Sequence, residues 1–207
     1  MADWHNADKI RAMARTRAEN FDDIKLEILT AAAHLFAQKG FRNTNIIEIG
    51  AACNASKSRM YHYFPSKEAM LEAMLLDHVN GLLIIARDIT ASKLSPEEKM
   101  RQFVLAHLHY YFGARDRHKV LLADAEYLPE ATLNEVRHAE QGLVKQLEAL
   151  LKELNPKKFA SRIDTSTHAM LIYGMLNWTY TWYEPTGKLN LKDLAQKAAD
   201  MCLHGVL

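Results

Sequence analysis

Apolar residues recur along this chain at helical spacing almost from end to end. Over residues 22–39, Ile24, Ile28, Ala31, Ala32, Leu35 and Phe36 keep a period near 3.6, the inward face of a helix. Gly40 ends that helix as a left-handed cap, and Phe41 folds back on the core. Ile46, Ile49, Gly50 and Cys53 then fall at i, i+3, i+4 and i+7, one face of a short helix that the Thr44 hydroxyl can cap. Asn54 breaks the pattern and tolerates the left-handed conformation of a sharp turn. Ser56 can cap a second short helix, residues 57–63, with Met60 and Phe64 turned to the core, joined there by Tyr63. Lys57, Arg59, Tyr61 and His62 stay largely free. Two short helices across a tight turn, the second basic and aromatic, match a DNA-reading helix-turn-helix.

Beyond it the pattern predicts longer helices. Ser66 opens one whose apolar positions run from Met70, Leu71, Met74 and Leu75 through Val79, Leu82 and Leu83 to Ile89. It is amphipathic at first and apolar on more than one side later, as a helix linking two domains would be. Ser95-Pro96-Glu97-Glu98 is a full start signal for a helix reaching about residue 112. Further helices are predicted over 116–127, 129–154, 159–183 and 190–204, punctuated by Pro129, Asn155-Pro156 and Glu184-Pro185-Thr186-Gly187. No run alternates with a period of two, so no strand is expected. The expected fold is all-α, about nine helices: a basic flexible arm (1–21), a helix-turn-helix domain (22–67) and a second helical domain (68–207).

Composition narrows the setting. The chain has 207 residues, 49% hydrophobic and 25% charged, enough for a real core in one or two small domains. No uninterrupted apolar run of about 18 residues appears, and the N-terminal segment lacks a signal-peptide core, so a cytoplasmic protein without membrane contact is expected. Cys53 and Cys202 sit in apolar patterns and read as buried reduced thiols. The net charge of +1 hides an asymmetry: residues 1–67 hold ten Lys/Arg against seven Asp/Glu, and residues 68–207 sixteen against eighteen. A mildly basic N-terminal part fits a polyanionic partner. Lys9, Arg11, Arg15 and Arg17 leave two readings open, a frayed solvated tail or an arm along the phosphates or minor groove.

Lys39-Gly40-Phe41, Thr44, the run from Ser56 to Phe64 (SKSRMYHYF) and Pro65-Ser66-Lys67-Glu68 together resemble the DNA-binding domain of TetR-family repressors, over about residues 23–70. Asn54 stands where that family commonly has Gly, Gly50 where it has Ala, and Arg59 where a small residue is frequent. The resemblance implies that Thr44, Ser56, Lys57, Arg59, Tyr61, His62 and Lys67 face DNA. Lys57 and Lys67 would neutralise phosphates, Thr44 and Ser56 would bring hydroxyls and helix N-termini to the backbone, and Arg59 suits guanine O6 and N7. It also implies a homodimer on a palindromic operator, joined through the helices over 159–183 and 190–204.

The aromatic stretch from Asn177 to Tyr183, with Pro185 and a Leu-rich last helix, is similar to a TetR subgroup regulating fatty-acid, steroid and phenylacetate catabolism. The segment MARTRAENFDDIK is similar to the phenylacetate-operon repressors within it. This implies derepression by an acyl- or aryl-CoA thioester, with phenylacetyl-CoA the leading candidate. Its acyl group would lie in an apolar pocket and its phosphates on basic residues at the mouth, which the sequence does not assign. Leu171, Met175, Trp178 and Trp182 form one stripe, and Tyr173, Asn177 and Tyr180 another. These aromatics are either core and interface, or pocket lining together with Phe103, Tyr110 and Tyr111. A rival within the family is a multidrug or efflux-pump repressor answering to hydrophobic compounds, for which Asp124 and Glu126 supply acidic groups. A small all-α enzyme is the reading from another class, but no nucleophile elbow, phosphate loop or dinucleotide fingerprint supports it. No two of the ten histidines stand at i, i+3 or i, i+4, and His107 and His109 point to different faces, so neither metal nor cofactor is expected.

Overall fold

A computed structural model describes the backbone of residues 4–206 and the side chains of residues 21–204. The described residues form nine α-helices and no strand: α1 (Trp4–Lys39), α2 (Ile46–Ala52), α3 (Lys57–Tyr63), α4 (Lys67–Ala91), α5 (Pro96–Gly113), α6 (Arg115–Asp124), α7 (Glu130–Leu154), α8 (Arg162–Trp182) and α9 (Leu191–Val206). A single 3-10 turn, Ala125–Tyr127, follows α6. The chain divides into two compact units, Met1–Met74 and Leu75–Leu207, and α4 runs through the boundary without interruption.

The first helix begins earlier than the hydrophobic pattern predicts. The segment expected to be a flexible arm has helical backbone from Trp4 onward. Nothing between residues 4 and 39 is Gly or Pro, and Ala, Arg, Lys, Met and Glu favour helix without any apolar stripe. The side chains of Lys9, Arg11, Arg15 and Arg17 lie outside the described residues.

In the first unit Ile28, Ala32 and Phe36 of α1 are buried together with Phe41, Ile49, Met60 and Phe64. Gly40 has φ +82° and returns its N–H to the Phe36 carbonyl at 2.8 Å, so the chain reverses and the Phe41 ring meets Phe36 edge-on, 5.2 Å between centroids. A Lys39–Glu48 ion pair of 2.7 Å ties the end of α1 to α2. That hydrogen bond holds the Glu48 carboxyl below its usual range, helped by the backbone N–H of Asn45.

In the second unit α5 packs along α9 and against α7 and α8, and α7 packs along α8. Ser95 caps α5 through the Glu98 N–H, and Pro96 opens it, as the start signal predicts. α7 turns Val136, Leu143, Leu147, Leu150 and Leu151 inward. Polar ties fasten the helices: Arg101–Asp200 at 2.6 Å between α5 and α9, Lys99–Glu153 at 2.8 Å between α5 and α7, and Arg117–Asp77 at 3.0 Å between α6 and α4. Asn190 caps α9 by accepting the Asp193 N–H at 2.8 Å. By length and composition α4 could cross a membrane, but about half of that stretch is buried in the fold, as in the core helix of a globular unit.

Candidate DNA-reading helix and effector cavity

The turn between α2 and α3 is fixed by two residues. Asn54 takes φ +52°, and the Ala55 N–H closes onto the Gly50 carbonyl at 2.8 Å. A Cβ on Gly50 would stand 2.8 Å from the Ala55 oxygen and 3.2 Å from Met60 Cγ, so this close approach accounts for a glycine at this position. Ser56 then caps α3, its Oγ accepting the Arg59 N–H at 3.2 Å. Met60 and Phe64 are buried, while Lys57, Ser58, Arg59, Tyr61 and His62 are exposed. The Lys57 ammonium lies 6.0 Å from the centroid of the Tyr61 ring one turn on. Phe21 of α1, which the sequence pattern does not single out, packs against Tyr63 at 4.6 Å between centroids and meets His62 edge-on at 6.1 Å. Tyr63 is accordingly half-buried beside α1 rather than deep in the core.

Two of the side chains expected at phosphates are engaged within the fold. Thr44 is only 2% exposed, and its hydroxyl donates to the Gly40 carbonyl at 3.0 Å and the Leu35 carbonyl at 3.4 Å. The α2 cap is Asn45. Its Oδ1 accepts from the N–H groups of Ile47 and Glu48, both at 3.0 Å, while Glu48 Oε2 accepts from the Asn45 N–H at 3.2 Å. Only Asn45 has a Glu three residues on, so the reciprocal box forms there and Thr44 is left to seal the end of α1. Lys67 donates from Nζ to the carbonyls of Phe41 at 2.8 Å, Thr44 at 3.0 Å and Arg42 at 3.4 Å, 4.3 Å from the Phe41 ring centroid. An ammonium has three donors, and all three are engaged by the loop that follows α1.

The second unit holds a half-open cavity of about 210 Å³. Its apolar wall comes from Val79 and Leu82 of α4, Leu121 and Leu122 of α6, Leu143 and Val144 of α7, and Met170 of α8. Its polar lining is Tyr111, His118, Glu140, Tyr173 and Asn177. The Tyr173 hydroxyl donates to the Leu143 carbonyl at 3.1 Å, and Tyr111 stacks on His118 at 3.7 Å between centroids. Behind them His78 Nε2 faces His118 Nδ1 at 3.3 Å, and His107 donates from Nδ1 to the Phe103 carbonyl at 2.8 Å. Burial pushes the pKa of His78 and His107 down to about 4 and, aided by the other two histidines, that of His118 to about 3. The trio is therefore neutral at physiological pH and behaves as aromatic packing. Among the described residues no cluster of three His, Cys, Asp or Glu could hold a metal. Burial raises the Glu140 carboxyl above its usual range, against a lowering by Arg137.

Of the residues the sequence offers for a pocket, Tyr111, Tyr173 and Asn177 line this cavity, whereas Phe103, Tyr110, Met175, Trp178 and Trp182 do not. Phe103 is fully buried and stacks on His107, 4.0 Å between centroids. Tyr110 packs on His78, with its hydroxyl end against Gly81. Met175 is half-buried, and Trp178 and Trp182 are 64% and 52% exposed on the outer side of α8. The inward stripe of α8 is Thr165, Ala169, Ile172, Tyr173, Leu176 and Thr179. Its small and β-branched residues carry the 3.6 period more faithfully than the aromatics do, and they are the signal that places the inner face. Asp124 is buried and Glu126 exposed, and neither lines the cavity. Cys202 is buried and Cys53 half-buried, both unpaired, and burial lifts the Cys202 thiol pKa to about 11.

A capped recognition helix in one unit and a mostly apolar cavity in the next, with one long helix common to both, define a ligand-responsive helix-turn-helix transcriptional regulator. The chain belongs to the TetR family: residues 28–74 match the bacterial regulatory proteins of the tetR family, and residues 93–206 match the tetracyclin repressor-like C-terminal domain. The HTH-type transcriptional repressor KstR2 of Rhodococcus jostii is 27% identical over 190 residues, 88% of this chain and 90% of that protein. A TetR-family transcriptional regulator from Bordetella parapertussis is 37% identical, with a TM-score of 0.83 over 87% of this chain and 94% of that one. The fold is shared with AibR, solved with isovaleryl coenzyme A and operator DNA, at 23% identity and a TM-score of 0.74 over 86% and 97% of the two chains. Relatives of this kind are transcriptional repressors, and the chain is a regulator rather than an enzyme.

Proposed function

We propose that this protein is a dimeric repressor that binds a palindromic operator through α3 and leaves it when an acyl- or aryl-CoA occupies the cavity in the second unit. The observation that carries the effector reading is the cavity: mostly apolar, lined from five helices, with a few polar groups. At about 210 Å³ it lies below the roughly 300–1,000 Å³ of sites for drug-sized ligands, which favours a compact aryl or short branched acyl group. The isovaleryl thioester in AibR is a group of that kind. Val79 and Leu82 line the cavity from α4, the helix that begins at Lys67 in the DNA-binding unit. A ligand pressing on this helix has a direct covalent route toward the DNA-binding unit, along a stretch of α4 from Val79 to Lys67 of about 18 Å at 1.5 Å per residue. The ligand must prefer the state that cannot bind DNA, because equal affinity for both states shifts nothing. Saturating operator then weakens ligand binding by the same factor. A repressor of this kind works where its operator lies, which supports a cytoplasmic protein.

The test is operator release, followed by anisotropy of labelled DNA during titration with phenylacetyl-CoA, isovaleryl-CoA, free CoA and phenylacetate. One of the thioesters should release the operator at concentrations where free CoA and the free acid do not. Trp178 and Trp182 face outward, so their fluorescence is not the readout for cavity occupancy. Glu140 in the cavity wall keeps a hydrophobic cation as the second reading. Release by such a cation, and by neither thioester, would replace the CoA assignment.

A further inference from the structure

Beside the cavity, and sharing part of its lining, is a second, open space whose chemistry is different. Arg137 and Lys145 stand two turns apart on one face of α7, and Arg162 opens α8. They line a surface groove of about 700 Å³ between the two helices. Glu140, Val144 and Met170 line both the groove and the cavity, so the two spaces meet at these three side chains. Among the described residues, none of the three cations makes an ion pair or a hydrogen bond. Glu140 and Glu148 also border the groove, leaving an excess of one positive charge. Glu140 borders both spaces, whereas Glu148 borders the groove alone. From Arg137 to Glu148 the face of α7 extends about 16 Å at 1.5 Å per residue, room for an elongated ligand leading away from the shared lining.

We infer that this groove is the anion-binding half of the effector site, and that Arg137, Lys145 and Arg162 hold the phosphates of a ligand whose apolar end lies in the cavity. The inference rests on the CoA reading above and adds what the sequence does not assign, the residues at the mouth. A bipartite ligand is what a bipartite site selects. The cavity excludes large groups, and the groove rewards a polyphosphate carried on a linker long enough to pass Glu140, Val144 and Met170. Guanidinium groups suit phosphate through paired N–H donors, and Lys145 adds a point charge.

The full-length protein is titrated calorimetrically with phenylacetyl-CoA, isovaleryl-CoA and the matching acyl-pantetheine thioesters, which lack the phosphates. The partner sample is an Arg137→Gln, Lys145→Gln, Arg162→Gln variant, with a Lys188→Gln, Lys192→Gln, Lys197→Gln variant as a charge-matched control. Wild type and control should bind a CoA thioester about 100-fold tighter than its pantetheine counterpart, with a strong salt dependence. The groove variant should lose that preference while keeping its pantetheine affinity and its operator affinity. If the groove variant still prefers the CoA thioester like wild type, the phosphates lie elsewhere and the inference is wrong while the CoA reading stands. If wild type binds neither CoA thioester, the CoA reading itself fails and this inference falls with it.

Discussion

Two lysines that look equivalent in the sequence do different work. Lys57 is exposed on α3, with its ammonium near only the Tyr61 ring, whereas Lys67 spends its donors on three backbone carbonyls. Lys57→Ala should weaken binding to every DNA sequence alike and lower the slope of log K against log salt by about one. Lys67→Ala should leave that slope nearly unchanged and instead lower unfolding stability by about 1.5–3 kcal/mol, the usual loss for hydrogen bonds to a charged group. Arg59→Ala should cost about 1–3 kcal/mol of binding and relax one operator position. Anisotropy across salt and single-base operator variants, with urea melts alongside, separates the three. A change in slope for Lys67→Ala equal to that for Lys57→Ala would reject the assignment of Lys67.

At the scale of elements, the neutral histidines knit α4, α5 and α6 into one aromatic core, and they make that core sensitive to acid. In the unfolded chain each titrates near the ordinary 6.5, but in the fold at about 4, 4 and 3. Between those values the unfolded state binds more protons, so stability rises with pH there. Stability should therefore be full above pH 6.5, fall as the pH drops toward 4, and stop falling from this cause once the folded pKa values are passed. Urea midpoints for wild type should drop between pH 7 and pH 5. His107→Leu lies outside the cavity lining and should show a smaller drop. An equal drop in both would remove His107 as a contributor.

For the whole molecule, the outer side of α8 is the feature that a monomer does not explain. Ile163, Leu171, Trp178 and Trp182 are all exposed large apolar residues on this one helix, and Met201 is exposed on α9. Contiguous apolar surface of this sort marks an association site. We predict a dimer joined through α8 and α9, so that two copies of α3 can read half-sites one helical turn apart. Light scattering at micromolar concentration should give about twice the 23.6 kDa chain mass. Leu171→Glu with Trp178→Glu should give monomers that keep their helical circular dichroism and lose operator affinity. A wild-type monomer that stays monomeric on DNA would contradict this arrangement.

The sequence by itself determined what depends on neighbours along the chain. Helix periods, the Ser56 and Ser95 caps, the Gly40 and Asn54 left-handed turns and the helix-turn-helix spacing are all local, and the structure reproduces each. The exposed face of α3 followed from the same periodicity. The tertiary structure decided what depends on contacts between distant segments. Lys67 meets carbonyls more than twenty residues earlier, His78 meets His118 forty residues later, and the cavity draws side chains from five helices. Thr44 and Asn45 competed for one cap, and the Glu48 side chain settled it. The sequence left the aromatics of α8 open between pocket and interface because large rings suit both equally well. Which of the two they serve depends on how far the helix is rotated about its axis, and the packing of Ala169, Ile172, Tyr173 and Leu176 against its neighbours fixes that rotation.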